Sequence, residues 1–367
     1  MKEEIIIVGG GVIGCACAYF LSRQGASVLL LEAEHLAAGA SGATVAVISV
    51  VGNSGTHAPL QPFILESYKL IKDIEPDFGV DAEIIEDGSL FLAFTENEYE
   101  EVKVAYELAL EMGIKGNLLD GNDARKMEPL LGEEVLHAFY SPACYHINPL
   151  RLCHGYFAAA KRRGCKAEYG VQVKEIRTRS DKIEKIVTNK GEYSADWVIV
   201  AAGAWTPQIL NRMDIKLPIS PARGQVIVTE ACEPLCKRVI LMPNHTYFKQ
   251  CKHGNFLLGS HTELVGFNNA ITLEKTQIHA KAACRAFPIL SKLKAIRFFA
   301  GFRPLSPDNL PILGPVGDCS RLIIASGHGR TGIKYSASTG KAISEFVCHG
   351  KTELPIDAFS PGRFYRK

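Results

Sequence analysis

Close to the start of the chain, Gly9-Gly10-Gly11-Val12-Ile13-Gly14 spells G-x-G-x-x-G, and Glu32 follows about 20 residues on. These residue types at this spacing suit an adenine dinucleotide. Gly9 permits a tight turn, Gly11 lets a pyrophosphate approach the backbone, and Gly14 lets a helix pack closely on a strand, so that the helix N-terminus faces the anion. A carboxylate at Glu32 can accept hydrogen bonds from a ribose.

The glycines do this only if a strand precedes them and a helix follows. Glu4 to Val8 is a β-branched run, and the apolar residues after Gly14 recur at helical spacing until Gly25. Ser27 to Leu31 reads as a second buried strand, which makes a βαβ unit and implies a parallel sheet covered by helices. Helical patterns recur at Ser67 to Asp73, Glu98 to Met112, Pro149 to Arg163 and Leu273 to Phe287. Strands are expected at Glu83 to Phe94 around an Asp87-Gly88 turn, as a pair within Glu168 to Thr188, and at Trp197 to Ala201, Gln225 to Thr229, Tyr247 to Gln250 and Asn255 to Gly259. The fold class is therefore α/β with two domains: a discontinuous Rossmann-like domain of residues 1–78, 140–218 and 300–367, and a mixed-sheet substrate domain of residues 79–139 and 219–299.

The 367 residues are 47% hydrophobic and 22% charged, which excludes a disordered or fibrous chain. Lys and Arg total 41 against 39 Asp and Glu, with no basic run, so nucleic acid is not an expected partner. No stretch reads as a membrane span or signal peptide, and eleven cysteines without a CxxC pair suit reduced thiols in a cytoplasm. Cys232, Cys236 and Cys251 make only a weak metal signal, and no metal is expected.

A contiguous nucleotide domain would favour NAD. Here strands with the character of a second set of dinucleotide contacts return near Val173, at Val200 to Gly203 and at Ile323 to Gly332, which favours an extended FAD. The segments IIIVGGGVIGCACAYFLSRQGASVLLLEA, ASGAT, DWVIVAAGAW, AGFRPLSPDNLPILGP and ASGHGRTGI together resemble the D-amino-acid oxidase family of flavoenzymes, in its glycine oxidase and sarcosine oxidase branch. The resemblance covers nearly the whole chain.

It implies that Val12, Ile13, Glu32, Ala33, Ala40, Ser41 and Val45, Ala46 and Val47 line FAD, that Val173 touches the adenine end, and that Gly203 passes close to the dinucleotide. Gly327, His328, Gly329, Arg330, Thr331, Gly332 and Ile333 would wrap the flavin. Ala46 stands where the family usually has glycine. Gly301 occupies the position of the cysteine that attaches FAD in sarcosine oxidases, so the FAD is expected to be non-covalent.

On the substrate side, the resemblance assigns Arg303 to the substrate carboxylate and Tyr247 to covering the substrate. Lys334 falls where sarcosine oxidases place a carboxylate-binding lysine, and Leu257 replaces the lysine that promotes their reaction with oxygen. The implied reaction is oxidation of a small amino acid or carboxylate-bearing secondary amine by hydride transfer from the α-carbon to flavin N5, giving an imine. No strong protein base is needed, so His57, His146 and His328 are read as loop or packing residues. The acceptor is oxygen or an electron carrier, and the chain acts as a homo-oligomer or as the flavin subunit of a hetero-oligomeric dehydrogenase.

Overall fold

The computed structural model describes residues 2–51, 58–179, 181–259 and 261–364, so His57 lies outside the described residues. Strand β1 (Lys2–Val8), helix α1 (Val12–Arg23) and strand β2 (Val28–Glu32) form the opening unit. Ile5, Ile6 and Ile7 are fully buried, as an unbroken β-branched run requires when both faces of a strand are covered. β1 pairs in parallel with β2 on one side and with Gly191–Val200 on the other. Cys319–Ser326 continues that sheet beyond Gly191–Val200, and Lys166–Tyr169 continues it beyond β2.

α1 is buried along nearly its whole length because two helices lie on it. One is Pro149–Arg162, which Asn148 caps by accepting from the N–H groups of Leu150 and Arg151. The other is Ser336–His349, which approaches through Gly340, where a Cβ would lie 2.8 Å from the Ala16 backbone.

The second sheet runs in the order Ala295–Leu305, Ser220–Ala231, Asn255–Gly259, Tyr247–Gln250, Val239–Leu241, Ser89–Ala93, His137–Ser141 and Asn117–Asp120. Its longest ladder pairs Ser220 with Leu305 and ends with Thr229 opposite Ala295, so Ala295–Leu305 crosses the boundary expected at residue 300. Helix Leu273–Ala286 covers this sheet with Thr276, His279, Ala283 and Ala286 buried.

Two expected elements differ in extent. Only Ser89–Ala93 of the stretch read as strands from Glu83 is one, because Glu83 and Gly88 have φ of 58° and 75° and Ile85 makes a single bridge to His146. The helix expected at Ser67 runs from Gln61 to Ile74, since Pro62 sits in its first turn, where a missing N–H costs nothing. Among the described residues no helix is long and apolar enough to cross a membrane, no group of three or more metal-ligand residues assembles, and the eleven cysteines are free.

A short ribbon, Val47–Ser49 against Cys144–His146, sits apart from both sheets. Ala46 enters it with φ of 56°, in the left-handed region, which costs an L-residue about 1–2 kcal/mol. Ala46→Gly is expected to raise stability by about 0.5–1 kcal/mol, the gain being partly offset by the extra chain entropy of glycine. Thermal melting tests this, and an unchanged or lowered midpoint would contradict it.

Candidate active site

A cavity of about 460 Å³ runs from the carboxyl ends of β1 and β2 to Gly301–Pro304 of the second sheet. Its floor is the glycine turn. Gly9 has φ of 109° and a Cβ there would lie 2.6 Å from the Ala201 carbonyl oxygen, while a Cβ on Gly14 would lie 1.9 Å from that of Gly9. The N-terminus of α1 has no side-chain cap of its own, although Ser41 Oγ accepts from the Val12 N–H at 2.9 Å. Its unsatisfied N–H groups thus offer a site for a pyrophosphate.

Glu32 lies on the wall beside this turn, its carboxylate accepting from the N–H groups of Gly10 at 2.5 Å and Glu34 at 2.8 Å. At the far end His328 is buried, with Nε2 3.0 Å from Thr339 Oγ1 and Nδ1 lacking a protein partner among the described residues. Burial pushes the His328 imidazole down to about 3, so it is neutral and offers Nδ1 for a hydrogen bond rather than a charge. A glycine cradle at one end and an orphaned ring nitrogen at the other fit an extended dinucleotide such as FAD.

Gly301 packs against Ala43 at the cavity wall, and a Cβ on Gly301 would lie 2.5 Å from that of Ala43. The glycine thus lacks a thiol and leaves no room for one. On the paired strand, Gly224 stands opposite Gly301, and a Cβ there would lie 2.2 Å from Arg303 Nη2. The guanidinium therefore rests on bare backbone. Arg303 Nη1 donates to the carbonyl of His261 at 2.7 Å and to Thr262 Oγ1 at 3.3 Å. Burial pulls its pKa below the usual arginine range, Tyr247 opposing and Arg330 adding to the shift. His245, whose carbonyl accepts from Arg330 Nη2 at 3.5 Å, completes the group.

Of the residues expected to hold cofactor or substrate, Gly9, Gly11, Val12, Ile13, Glu32, Ala33, Ala40, Ser41, Val173, Gly203, Arg303, His328, Gly329, Arg330, Gly332 and Ile333 lie on the cavity wall. Gly14, Val45, Ala46, Val47, Tyr247, Gly327, Thr331 and Lys334 lie off it. Gly14 and Gly327 act through packing: a Cβ on Gly327 would lie 2.8 Å from Ile312. Burial pulls Lys334 down to about 8 with the Cys144 thiol opposing, so its electrostatic neighbour differs from those of Arg303. Arg330 is a cation that acts electrostatically on Arg303.

Sequence reasoning missed Lys174, Trp205 and Arg212 on the wall, although Lys174 adjoins Val173 and Trp205 ends the AAGAW segment. It also missed Lys249. This side chain pairs across the strand with Leu257, is buried, and donates to the Ile147 carbonyl at 2.9 Å; burial lowers its ammonium to about 8.

A mostly parallel sheet with a glycine turn at its carboxyl edge, opened onto a second sheet that carries a partly buried arginine, defines a dinucleotide-dependent enzyme of two sheets. Residues 4–346 match the model of the FAD dependent oxidoreductase (DAO) family, and the chain belongs to that family. It is 29% identical to the glycine oxidase of Geobacillus kaustophilus over all of this chain and 98% of that one. The crystal structure of glycine oxidase from Geobacillus kaustophilus superimposes with a TM-score of 0.94, covering 99% of each chain at 26% identity. The hydrogen cyanide synthase subunit HcnC of Pseudomonas protegens is 28% identical over 98% of this chain and 96% of its own. The structure of L-proline dehydrogenase from P. horikoshii gives a TM-score of 0.92 at 25% identity, with 100% and 98% of the two chains covered. The chain is thus an FAD-dependent oxidoreductase.

The purified protein is expected to release its FAD into solution on acid or heat precipitation, and Gly11→Val to abolish flavin retention by filling the space of the pyrophosphate. Flavin remaining in the pellet, or FMN in the supernatant, would contradict the first. Retention by the variant would contradict the second. A pH dependence also follows. Burial holds His146 at about 2, His328 at about 3 and His279 at about 4, against an ordinary value of 6.5. Their folded pKa values are depressed, so the unfolded chain binds the extra protons. Stability is then fully present above pH 6.5 and falls below it, by up to about 1.4 kcal/mol per pH unit for each histidine. Melting midpoints should drop steadily from pH 6.5 to 4; a flat profile would show these rings are not buried neutral.

Proposed function

We propose that the protein oxidises a small α-amino acid or a carboxylate-bearing secondary amine, of the glycine, sarcosine, proline or D-amino-acid type, at its C–N bond. The observation that carries this reading is Arg303, seated on Gly224 and held by the His261 carbonyl at the edge of the cavity. A substrate with few atoms is oriented by its charges, and a guanidinium fork fixes both the position and the angle of a carboxylate. FAD, when bound, supplies the acceptor for a hydride leaving the substrate α-carbon.

Arg303 holds the carboxylate, Tyr247 covers the substrate, and the amine binds neutral so that its lone pair assists hydride departure. The resulting imine hydrolyses in water. His328, neutral and tied to Thr339, orients rather than takes a proton. In this reading residues 1–78, 140–218 and 300–367 hold the cofactor, and 79–139 and 219–299 shape the substrate side.

A second reading, a flavin subunit that passes electrons to a partner chain, is supported by the likeness to HcnC over nearly the whole chain. Anaerobic mixing of the isolated chain with candidate amino acids separates the two. Bleaching of the flavin by one of them, followed by reoxidation in air, supports an enzyme complete in itself, and bleaching that only a dye reverses supports the subunit.

Arg303→Lys keeps the charge but loses the fork, and is expected to lower kcat/KM by roughly ten- to a hundredfold, corresponding to about 1.5–3 kcal/mol. Gly224→Ala, which pushes the guanidinium aside, should lower it by a similar factor while flavin content stays at the parent level. Amines without a carboxylate should be poor substrates and nearly indifferent to either change. Steady-state kinetics test this, and intact amino-acid turnover in Arg303→Lys would remove the assignment.

A further inference from the structure

Near Arg303 and off the cavity wall, two imidazoles are stacked. The rings of His261 and His279 have centroids 4.6 Å apart and planes 27° apart, with His261 Nδ1 2.5 Å from His279 Nε2. His279 is fully buried in helix Leu273–Ala286, and neither ring lies on the cavity wall. The pair has an anchor at each end. His279 Nδ1 is 3.4 Å from Thr246 Oγ1, and His261 Nε2 is 3.1 Å from Glu263 Oε2, though off the line of a good hydrogen bond. Glu263 is gripped by Arg223 through Nε at 3.0 Å and Nη2 at 3.1 Å, and by Gln225 Nε2 at 2.8 Å. These partners hold its carboxyl down at about 2, ionised, against the cost of burial.

With Glu263 ionised, proton positions are determined along the chain. The carboxylate 3.1 Å away favours a proton on His261 Nε2 electrostatically, so Nδ1 of the neutral His261 accepts from His279 Nε2–H, and His279 Nδ1 accepts from the Thr246 hydroxyl. Every group then has a role that matches its neighbour. The chain starts one residue before Tyr247 and passes through the residue whose carbonyl holds Arg303.

We propose that the stacked pair His261 and His279 is a positioning device that sets where the Arg303 guanidinium sits relative to Tyr247, and so sets the affinity of the site for a carboxylate. This rests on the reading of Arg303 as the carboxylate anchor. An apolar residue at a fully buried helix position would fill space as well as His279 and would avoid burying a polar ring. What an apolar residue cannot do is donate to His261, and without that donor the 261–262 segment loses the constraint that aims its carbonyl at Arg303.

The test is calorimetric titration of the FAD-loaded protein with acetate, a carboxylate that is not oxidised. His279→Leu removes both ring nitrogens, whereas His279→Gln retains an N–H donor near the position of Nε2. The expected result is acetate affinity about tenfold weaker in His279→Leu and within about threefold of the parent in His279→Gln, with flavin content equal in both. In an Arg303→Lys background, His279→Leu should have no further effect, because the pair acts through the arginine.

Equal affinities in the parent and His279→Leu, or equal losses in the Leu and Gln variants, would overturn the proposal. Arg303→Lys binding acetate as the parent does would instead overturn the anchor reading beneath it. Should His279→Leu not fold, Thr246→Val, which removes only the terminal hydroxyl, is titrated in its place. A loss of at least about threefold supports the proposal and parent affinity overturns it.

Discussion

Gly14 lies so near the carbonyl of Gly9 that a methyl group on it would come within 1.9 Å of the oxygen. This contact presses α1 against the end of β1 and turns the helix N-terminus toward the cavity. Much else depends on it. Gly9 must in turn lie against the Ala201 backbone, which requires Gly191–Val200 to pair with β1 residue by residue up to Val8 opposite Val200. The two helices packed on α1 then hold that register from the other side. A shift of one residue would rotate the helix dipole and its free N–H groups away from where a pyrophosphate could use them.

The second sheet solves a different problem, which is to place charge in a poorly solvated site without leaving it uncompensated. Two glycines opposite each other on neighbouring strands do most of this. Gly301 lets the cavity wall at Ala43 come close, and Gly224 gives the guanidinium of Arg303 a seat on backbone. The carbonyl of His261 and the Thr262 hydroxyl supply acceptors for this partly buried cation. Behind them Arg223 and Glu263 neutralise each other, so the imidazoles between can remain uncharged.

Local signals were legible in the sequence and long-range ones were not. The β1 and α1 pattern, the strands Tyr247–Gln250 and Asn255–Gly259, and the helix at Leu273 emerge from periodicity because each depends on neighbours in the chain. Glu83 was read as extended, and its positive φ comes instead from contacts with Arg151, Asn148 and His253 that no local rule contains. Arg330 and Lys334 stand four residues apart, and the loop that carries them is turned by Gly327 and Gly329, at φ of 73° and 53°, so sequence spacing alone does not place their charges. His261 and His279 are 18 residues apart in sequence, on different elements, and only the packing of a helix on a sheet makes them partners.

The order of strands in the first sheet has a consequence for how the protein is made. β1 is synthesised well before its neighbour Gly191–Val200 and the next strand, Cys319–Ser326. About 300 residues separate the glycine turn from the loop at Gly327 to Ile333 that closes the far end of the same cavity. At ordinary elongation rates of about 5–20 residues per second, roughly 15–60 s pass between the two. During that interval the apolar faces of β1 and α1 wait for their partners, so the nascent chain depends on chaperones or on β2 for cover, and the cofactor's cavity is complete only after that loop has been made.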